Sequence, residues 1–534
     1  MSSSEKIVAF EELVRLVEQL RRQSKRIVHC HGVFDLLHIG HIRYLQAARN
    51  QGDALVVTLT PDRFVNKGPH RPIFDEKLRC QAVAALSCVD HVAVNCWPTA
   101  METLRRLRPD VFAKGAEFRD RKTPELAQEE ATAADLGIRV EFIDEITSSS
   151  SALINQRLSP FSEEVDHYLL QFRQRQTAEA LLGRLEQSKQ LRVLVVGEAI
   201  VDEYVTCAAL GQSTKSPAVV ARFQGLDRFV GGALAVANHV APFCREVQLL
   251  AMLGAAEPDI RDQPAGGNST PASARCGSTD LVAARPPGED WIRGQLRERV
   301  QATFFYRSRA PTIVKRQYRE VYYAVPLFEI DNLDDAALTT EETVRLEELL
   351  QPLLPDADVV LVADYGHGML GETAVRRLSA GARFLAVNTP ANAANLGYHT
   401  LSKYRRADYL SMAEQELRLE CRSRTEALPE LLEQVARRVG AAAATVTVGN
   451  RGCLCYGPQQ GHVQAPALAS RVVDRFGAGE AFFAMSALCA GLHLPLEQLA
   501  FLGNVAAAEA VAVLGNSRFL EEVPFRRHIE SLLK

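Results

Sequence analysis

The chain lacks a Cys-x-x-Cys pair among its 11 cysteines, which removes the spacing of a zinc ribbon or a dithiol redox motif. Scattered thiols in a reducing compartment read as buried or incidental, and no structural metal is expected. It lacks an excess of positive charge: 61 Lys and Arg against 65 Asp and Glu leave a net charge of −4. That balance provides no general pull toward nucleic acid or an anionic membrane, so neither is expected as a partner. No apolar run reaches the length of a membrane span, and the opening MSSSEKIVAFEELV has no apolar core of signal-peptide type. The expected compartment is therefore the cytoplasm. No internal repeat is present.

What is there is enough for at least two ordinary domains: 534 residues, 47% apolar and 24% charged. Strand and helix patterns alternate, which predicts an α/β fold of parallel sheets covered by helices. Helical spacing runs over residues 8–23 and 39–52, with strands expected at 25–32, 54–60, 91–95, 111–115 and 139–144. This pattern closes near 158 as one small Rossmann-like nucleotide-binding domain. Residues 159–190, rich in Glu, Gln, Arg and Leu, read as a helical connector. A second α/β unit opens with a strand at 191–205 and runs to 534. Residues 255–290, dense in Ala, Pro, Gly and Ser, read as a mobile insertion in it.

GVFDLLHIGH, residues 32–41, carries the chemistry of the first domain. His38 and His41 are three apart at a helix start, so both rings face one way, and Gly40 between them lets a phosphate approach the backbone. Two imidazole donors beside a positive helix terminus suit the charge that develops on an α-phosphate under attack. The plainer alternatives are one core and one solvated histidine, or a metal shared with His29 and His31. Farther on, DRFGAGEAFF sets a Gly-Ala-Gly turn before an apolar helix, and such a turn offers bare N–H groups to an anion.

Residues 25–155 resemble the cytidylyltransferase-like nucleotidyltransferases, including the adenylyltransferase half of bifunctional heptose-phosphate enzymes. The blocks KRIVHCHGVFDLLHIGHIRYLQAARNQGD, VNKGPHRPIFDEKLRCQAVAALSCVD, PDVFAKG and ITSSSSALIN match in order. Class I aminoacyl-tRNA synthetases share HIGH, but no Lys-Met-Ser-Lys-Ser element follows. The resemblance implies that a phosphate monoester attacks the α-phosphorus of ATP or CTP, with Mg2+, and that pyrophosphate leaves. The acceptor is already largely dianionic at neutral pH, its second pKa being about 6, so no protein base is needed. It implies catalytic roles for His38, His41, Lys67 and Lys114. Nucleotide contacts fall to Gly32, Phe34, Asp35, Gly40 and the helix start at Ser149, Ser150 and Ser151, with Asp35 ordering its loop. A sugar or polyol phosphate is the implied acceptor. The base is not readable, and a homodimer is the common state of this family and the next.

Most of residues 191–534 resembles the PfkB, or ribokinase-like, carbohydrate kinases. GEAIVDEYV supplies Asp202 and VGGALAVANHV supplies Gly231 and Gly232 for the substrate; Gly477, Ala478 and Gly479 form the nucleotide cradle. The family's catalytic aspartate is replaced by Glu480, which moves the carboxylate by about 1 Å, a misplacement that can cost roughly a hundredfold. Ala235, Asn388 and Met412 also depart from the pattern. Three readings stay open: a nucleotidyltransferase fused to a degenerate kinase-fold domain, a fully bifunctional sugar activator, and a non-catalytic nucleotide sensor or scaffold.

Overall fold

The computed structural model describes residues 5–65, 72–116, 119, 124–143, 161–255, 287–308, 310–322, 325–393 and 395–534. Most of the expected insertion therefore lies outside the described residues. The chain divides into two compact units, residues 1–162 with 530–534, and residues 163–529. Helices Glu163–Arg175 and Ala178–Glu186, from the stretch read as a connector, count with the second unit.

In the first unit, β1 (Ile27–Gly32), β2 (Ala54–Leu59), β3 (His91–Val94), β4 (Val111–Gly115) and β5 (Arg139–Ile143) form one sheet in the order β3-β2-β1-β4-β5, every pairing parallel. All six residues of β2 are buried, as a parallel strand covered on both faces requires. Helices α1 (Phe10–Arg22), α2 (Ile39–Arg49), α3 (Glu76–Ala84), α4 (Met101–Leu107) and α5 (Pro124–Asp135) alternate with the strands. On α1, Leu13 and Val17 pack on Ile27, Val56 and Ala93. The strand order turns between β1 and β4. Ligands of doubly wound sheets lodge beyond the carboxyl ends of such a pair, and β1 delivers the chain there into residues 33–38 and α2.

The second unit is organised by β6 (Arg192–Gln212), which runs seven residues past the expected strand end at 205. Its first part lies between β8 (Glu246–Gly254) and β12 (Val359–Ala363) in parallel, and β9 (Val300–Arg307) extends that side. Beyond β12 follow β13 (Leu385–Asn388), β14 (Tyr409–Ala413) and β15 (Ala443–Thr447), then antiparallel β16 (Cys453–Gly457) and β17 (Gly461–Ala465). From Ala199 onward β6 leaves this core and pairs with antiparallel β7 (Val219–Gly232) and parallel β10 (Ile313–Glu320), which carries antiparallel β11 (Pro326–Asn332). Among the described residues no helix is long and apolar enough to cross a membrane.

Candidate functional site

In the first unit the site begins at Gly32, the last residue of β1. A Cβ there would stand 3.1 Å from the Phe34 ring, and Phe34 itself holds φ +47°. His38 is the N-cap of α2, its Nδ1 accepting the Gly40 amide at 3.1 Å. The acceptor role of Nδ1 puts the neutral ring's proton on Nε2, so that buried nitrogen of His38 is a donor. The His41 ring lies 4.1 Å away between centroids, with Phe34 edge-on to it at 5.5 Å. Both imidazoles thus stand at the positive end of α2, at the switch point of the sheet.

Two buried groups hold the loops around them. Asp35 accepts the amides of Ile73 at 2.6 Å and Phe74 at 3.3 Å, so its carboxylate orders backbone. Arg79, fully buried on α3, donates to the carbonyls of Val33 (2.5 Å), Thr60 (2.9 Å) and Phe74 (3.0 Å) and to Asp62 at 2.5 Å. It ties together the segments that leave β1 and β2. The sequence reading missed it, because an arginine on a helix is by default a surface residue and nothing local marks this one.

Lys114 stands at the carboxyl side of β4, beside the switch point, but its ammonium is buried and ion-paired with Glu129 at 2.6 Å. Its charge is compensated within the protein, which differs from the open point charge the sequence suggested. His29 and His31 share the Thr58 hydroxyl at 2.8 and 2.9 Å; burial drives the His29 pKa well down and that of His31 to about 3, so both rings are neutral. Among the described residues no group of three or more His, Cys, Asp or Glu could hold a metal ion. Lys67, Ser149, Ser150 and Ser151 lie outside the described residues.

In the second unit Gly477, at φ +82°, is the N-cap of helix Ala478–Gly491 with no side chain capping it, so Ala478 and Gly479 present first-turn N–H groups. A Cβ at 477 would overlap Asn516, whose Nδ2 donates to the Val230 carbonyl at 3.0 Å. Asn516, another residue the sequence reading passed over, therefore links the cradle to the Gly231–Gly232 turn. At Gly231 a Cβ would collide with the Asp202 carboxylate, and Gly232 has φ +61°.

Glu480 occupies the first turn of the same helix, and its carboxylate accepts the Tyr365 hydroxyl at 2.8 Å. Burial, then Glu480, raises the Asp202 pKa to about 7, while Lys315 opposes the rise. Asp202 and Glu480 thus stand close enough for the charge of one to act on the other. Ala235 is buried in helix Ala233–Val240, Met412 is buried on β14, and Asn388 Nδ2 donates to the Ser411 carbonyl at 2.8 Å. Asn388 and Met412 belong to the carboxyl ends of neighbouring strands, where β12 also delivers Asp364 and Tyr365. Asp364 is buried and held by Lys403 and the Tyr404 hydroxyl, both at 2.5 Å.

The cytidylyltransferase-like family model matches residues 29–157, and the pfkB family carbohydrate kinase model matches residues 329–522. Among curated relatives, the bifunctional protein HldE of Syntrophotalea carbinolica is 41% identical over 155 residues, covering 29% of this chain and 31% of that protein. The bifunctional protein HldE of Methylobacillus flagellatus is 38% identical over 160 residues, covering 30% and 32%. The chain thus spans about a third of the length of the curated relatives it matches. Among solved structures, phosphofructokinase-2 from Escherichia coli in complex with potassium aligns with 65% of this chain and all of its own, at 13% identity and a TM-score of 0.48.

Proposed function

From a chain that joins a cytidylyltransferase-like domain to a pfkB family domain, we propose that the first unit transfers a nucleoside monophosphate from ATP or CTP to a sugar or polyol phosphate, releasing pyrophosphate. The second unit, in this reading, keeps a nucleotide cradle and a polyol cleft but has weakened or lost its own phosphoryl transfer. The observation that carries the first half is the pair of adjacent imidazoles, His38 and His41, tilted at 37° with ring centres 4.1 Å apart, at the amino end of α2 and the turning point of the strand order. An oxygen of the acceptor phosphate attacks the α-phosphorus, and the bond to the β-phosphate breaks with its electron pair leaving on pyrophosphate. Magnesium arrives as part of the nucleotide substrate. The acceptor needs no deprotonation, so the residues have two tasks: to align the phosphates and to neutralise the charge that grows on them. Nε2 of His38 and the α2 terminus supply donors for the second task, and Asp35 and Arg79 hold the loops for the first.

For the second unit, an alcohol acceptor does require a base. Glu480 keeps the charge on a longer arm and leans it on Tyr365, while Ala235, Asn388 and Met412 alter the surroundings. A fully bifunctional reading is favoured by the intact Gly477 turn and the facing Asp202. The two readings separate on ADP release from unphosphorylated sugars by the intact chain and by Glu480→Asp. Weakened transfer is supported if the wild-type chain releases pyrophosphate without comparable ADP. Equal turnover of a sugar and its phosphate, falling in Glu480→Asp, would establish the bifunctional reading instead.

A further inference from the structure

One face of the β6–β10–β11 ribbon carries an unusual charge balance. Asp202, Lys315 and Asp331 stand in one cross-strand row, and Tyr204, Gln317 and Glu329 in the next row on the same face. That face looks into the cleft: the Lys315 ammonium lies 5.9 Å from the Tyr365 ring centre, and the Tyr365 hydroxyl is the donor to Glu480. The carboxylates of Glu329, Asp331 and Glu480, with Asp202 beside them, its pKa pushed up to about 7 by burial and then Glu480, are set against one ammonium among the described residues of this face, that of Lys315. The next cation on the face, Arg319, is paired with Asp474 at 3.2 Å.

Acidic residues alone would not name a ligand, but two buried atoms beside them do. Gln317 is 6% exposed, and its Nε2 donates to Glu329 at 3.3 Å, which identifies the nitrogen end of the amide. Its carbonyl Oε1 is buried without a hydrogen-bond partner. His367 is 0% exposed, with Nδ1 2.6 Å from the Asp335 carboxylate. Burial keeps the ring neutral, so Nδ1–H donates and Nε2 is a bare acceptor, again without a partner and within electrostatic reach of Lys315 and Asp331. Both orphaned atoms lack a donor, and the carboxylates lack a cation.

A phosphorylated sugar would bring more acceptors and more negative charge. A neutral sugar offers O–H donors but leaves the carboxylates uncompensated. A metal ion would need ligands that converge, and no such group exists among the described residues. A protonated amine has three N–H donors, no acceptor and one positive charge. We propose that this cleft selects a polyol bearing a protonated amine, an amino sugar or amino alditol, over its neutral and phosphorylated counterparts. The inference rests on the reading of the second unit as a carbohydrate cleft and adds the charge class of its ligand.

The test is titration calorimetry of the full chain with three matched sets: glucosamine, glucose and glucose 6-phosphate, and the corresponding galacto and manno compounds. In at least one set the amine should bind about tenfold or more tighter than its neutral parent, with the phosphate weakest, since a single compensated charge in a half-desolvated cleft is worth a factor of that order. Glu329 and Asp331 lie on an exposed edge strand, so Glu329→Gln and Asp331→Asn should fold normally and reduce the preference severalfold. Equal binding across a set, or preference for the phosphate, overturns the charge assignment and leaves the carbohydrate cleft standing. Binding by no member of any set removes cleft and assignment together. Magnesium or calcium chloride binding alone, and weakening in Asp331→Asn, overturns the amine in favour of a metal.

Discussion

His38 has an observed capping role and a proposed catalytic one, and substitution can separate them. Its Nδ1 caps α2 through the Gly40 amide at 3.1 Å, and its Nε2 is the donor proposed for the reacting phosphates. His38→Ala removes both. The lost cap should cost about 1 kcal/mol and lower the first unit's melting temperature by about 2–4 °C. The lost donor should reduce kcat by about a hundredfold to a thousandfold, the usual effect of deleting one preorganised donor to a transition-state oxygen. His38→Asn restores the cap, because asparagine is among the strongest N-cap residues, but its short amide cannot place a donor where Nε2 stood. Stability should therefore return to within a few tenths of a kcal/mol of the wild type while activity stays down. Scanning calorimetry and a coupled pyrophosphate assay on the three proteins give both readouts. Near-normal turnover in His38→Asn would refute the donor role and leave His38 a capping residue only.

Two further outcomes follow from buried groups. Arg79→Met leaves the carbonyls of Val33, Thr60 and Phe74 without their donor and Asp62 without its cation, so urea unfolding of the first unit should show a loss of at least about 3 kcal/mol. A loss under about 0.5 kcal/mol, the scale of surface changes, would contradict the clamp. In the second unit the folded state binds the Asp202 proton more tightly than the unfolded chain does, its pKa rising from 3.8 to about 7 through burial and Glu480, with Glu329 and Asp331 adding and Lys315 opposing. Its contribution is fully present below about pH 4 and is lost as pH rises to about 7. Asp202→Asn should flatten that decline in melts run across the window; an unchanged pH slope would show that Asp202 does not titrate there.

The first unit was legible because its signals are local. Apolar runs such as ALVVTL, glycine stops and the HIGH turn sit where covered parallel strands and a helix start must place them. What sequence alone left unread depends on distant partners. The Lys114–Glu129 pair joins β4 to α5, and Arg79 is buried only because three loop carbonyls converge on it. β6 runs on to Gln212 because β7 pairs with it that far and β10 as far as Cys207, while its last residues, TCAALGQ, carry no apolar alternation of their own to announce a strand. The charges of KRQYRE and FEID on β10 and β11 look like solvated surface until the register puts Lys315 between Asp202 and Asp331.

Nucleotidyl transfer at the head of α2 is tested most directly by pyrophosphate release from the intact chain with ATP and with CTP against a panel of sugar and polyol phosphates, beside His38→Ala and His41→Ala. Release is expected with at least one matched pair of nucleotide and phosphate acceptor, and its loss in both variants with the fold retained. No release from any pair, or release that survives both substitutions, would contradict nucleotidyl transfer at the head of α2.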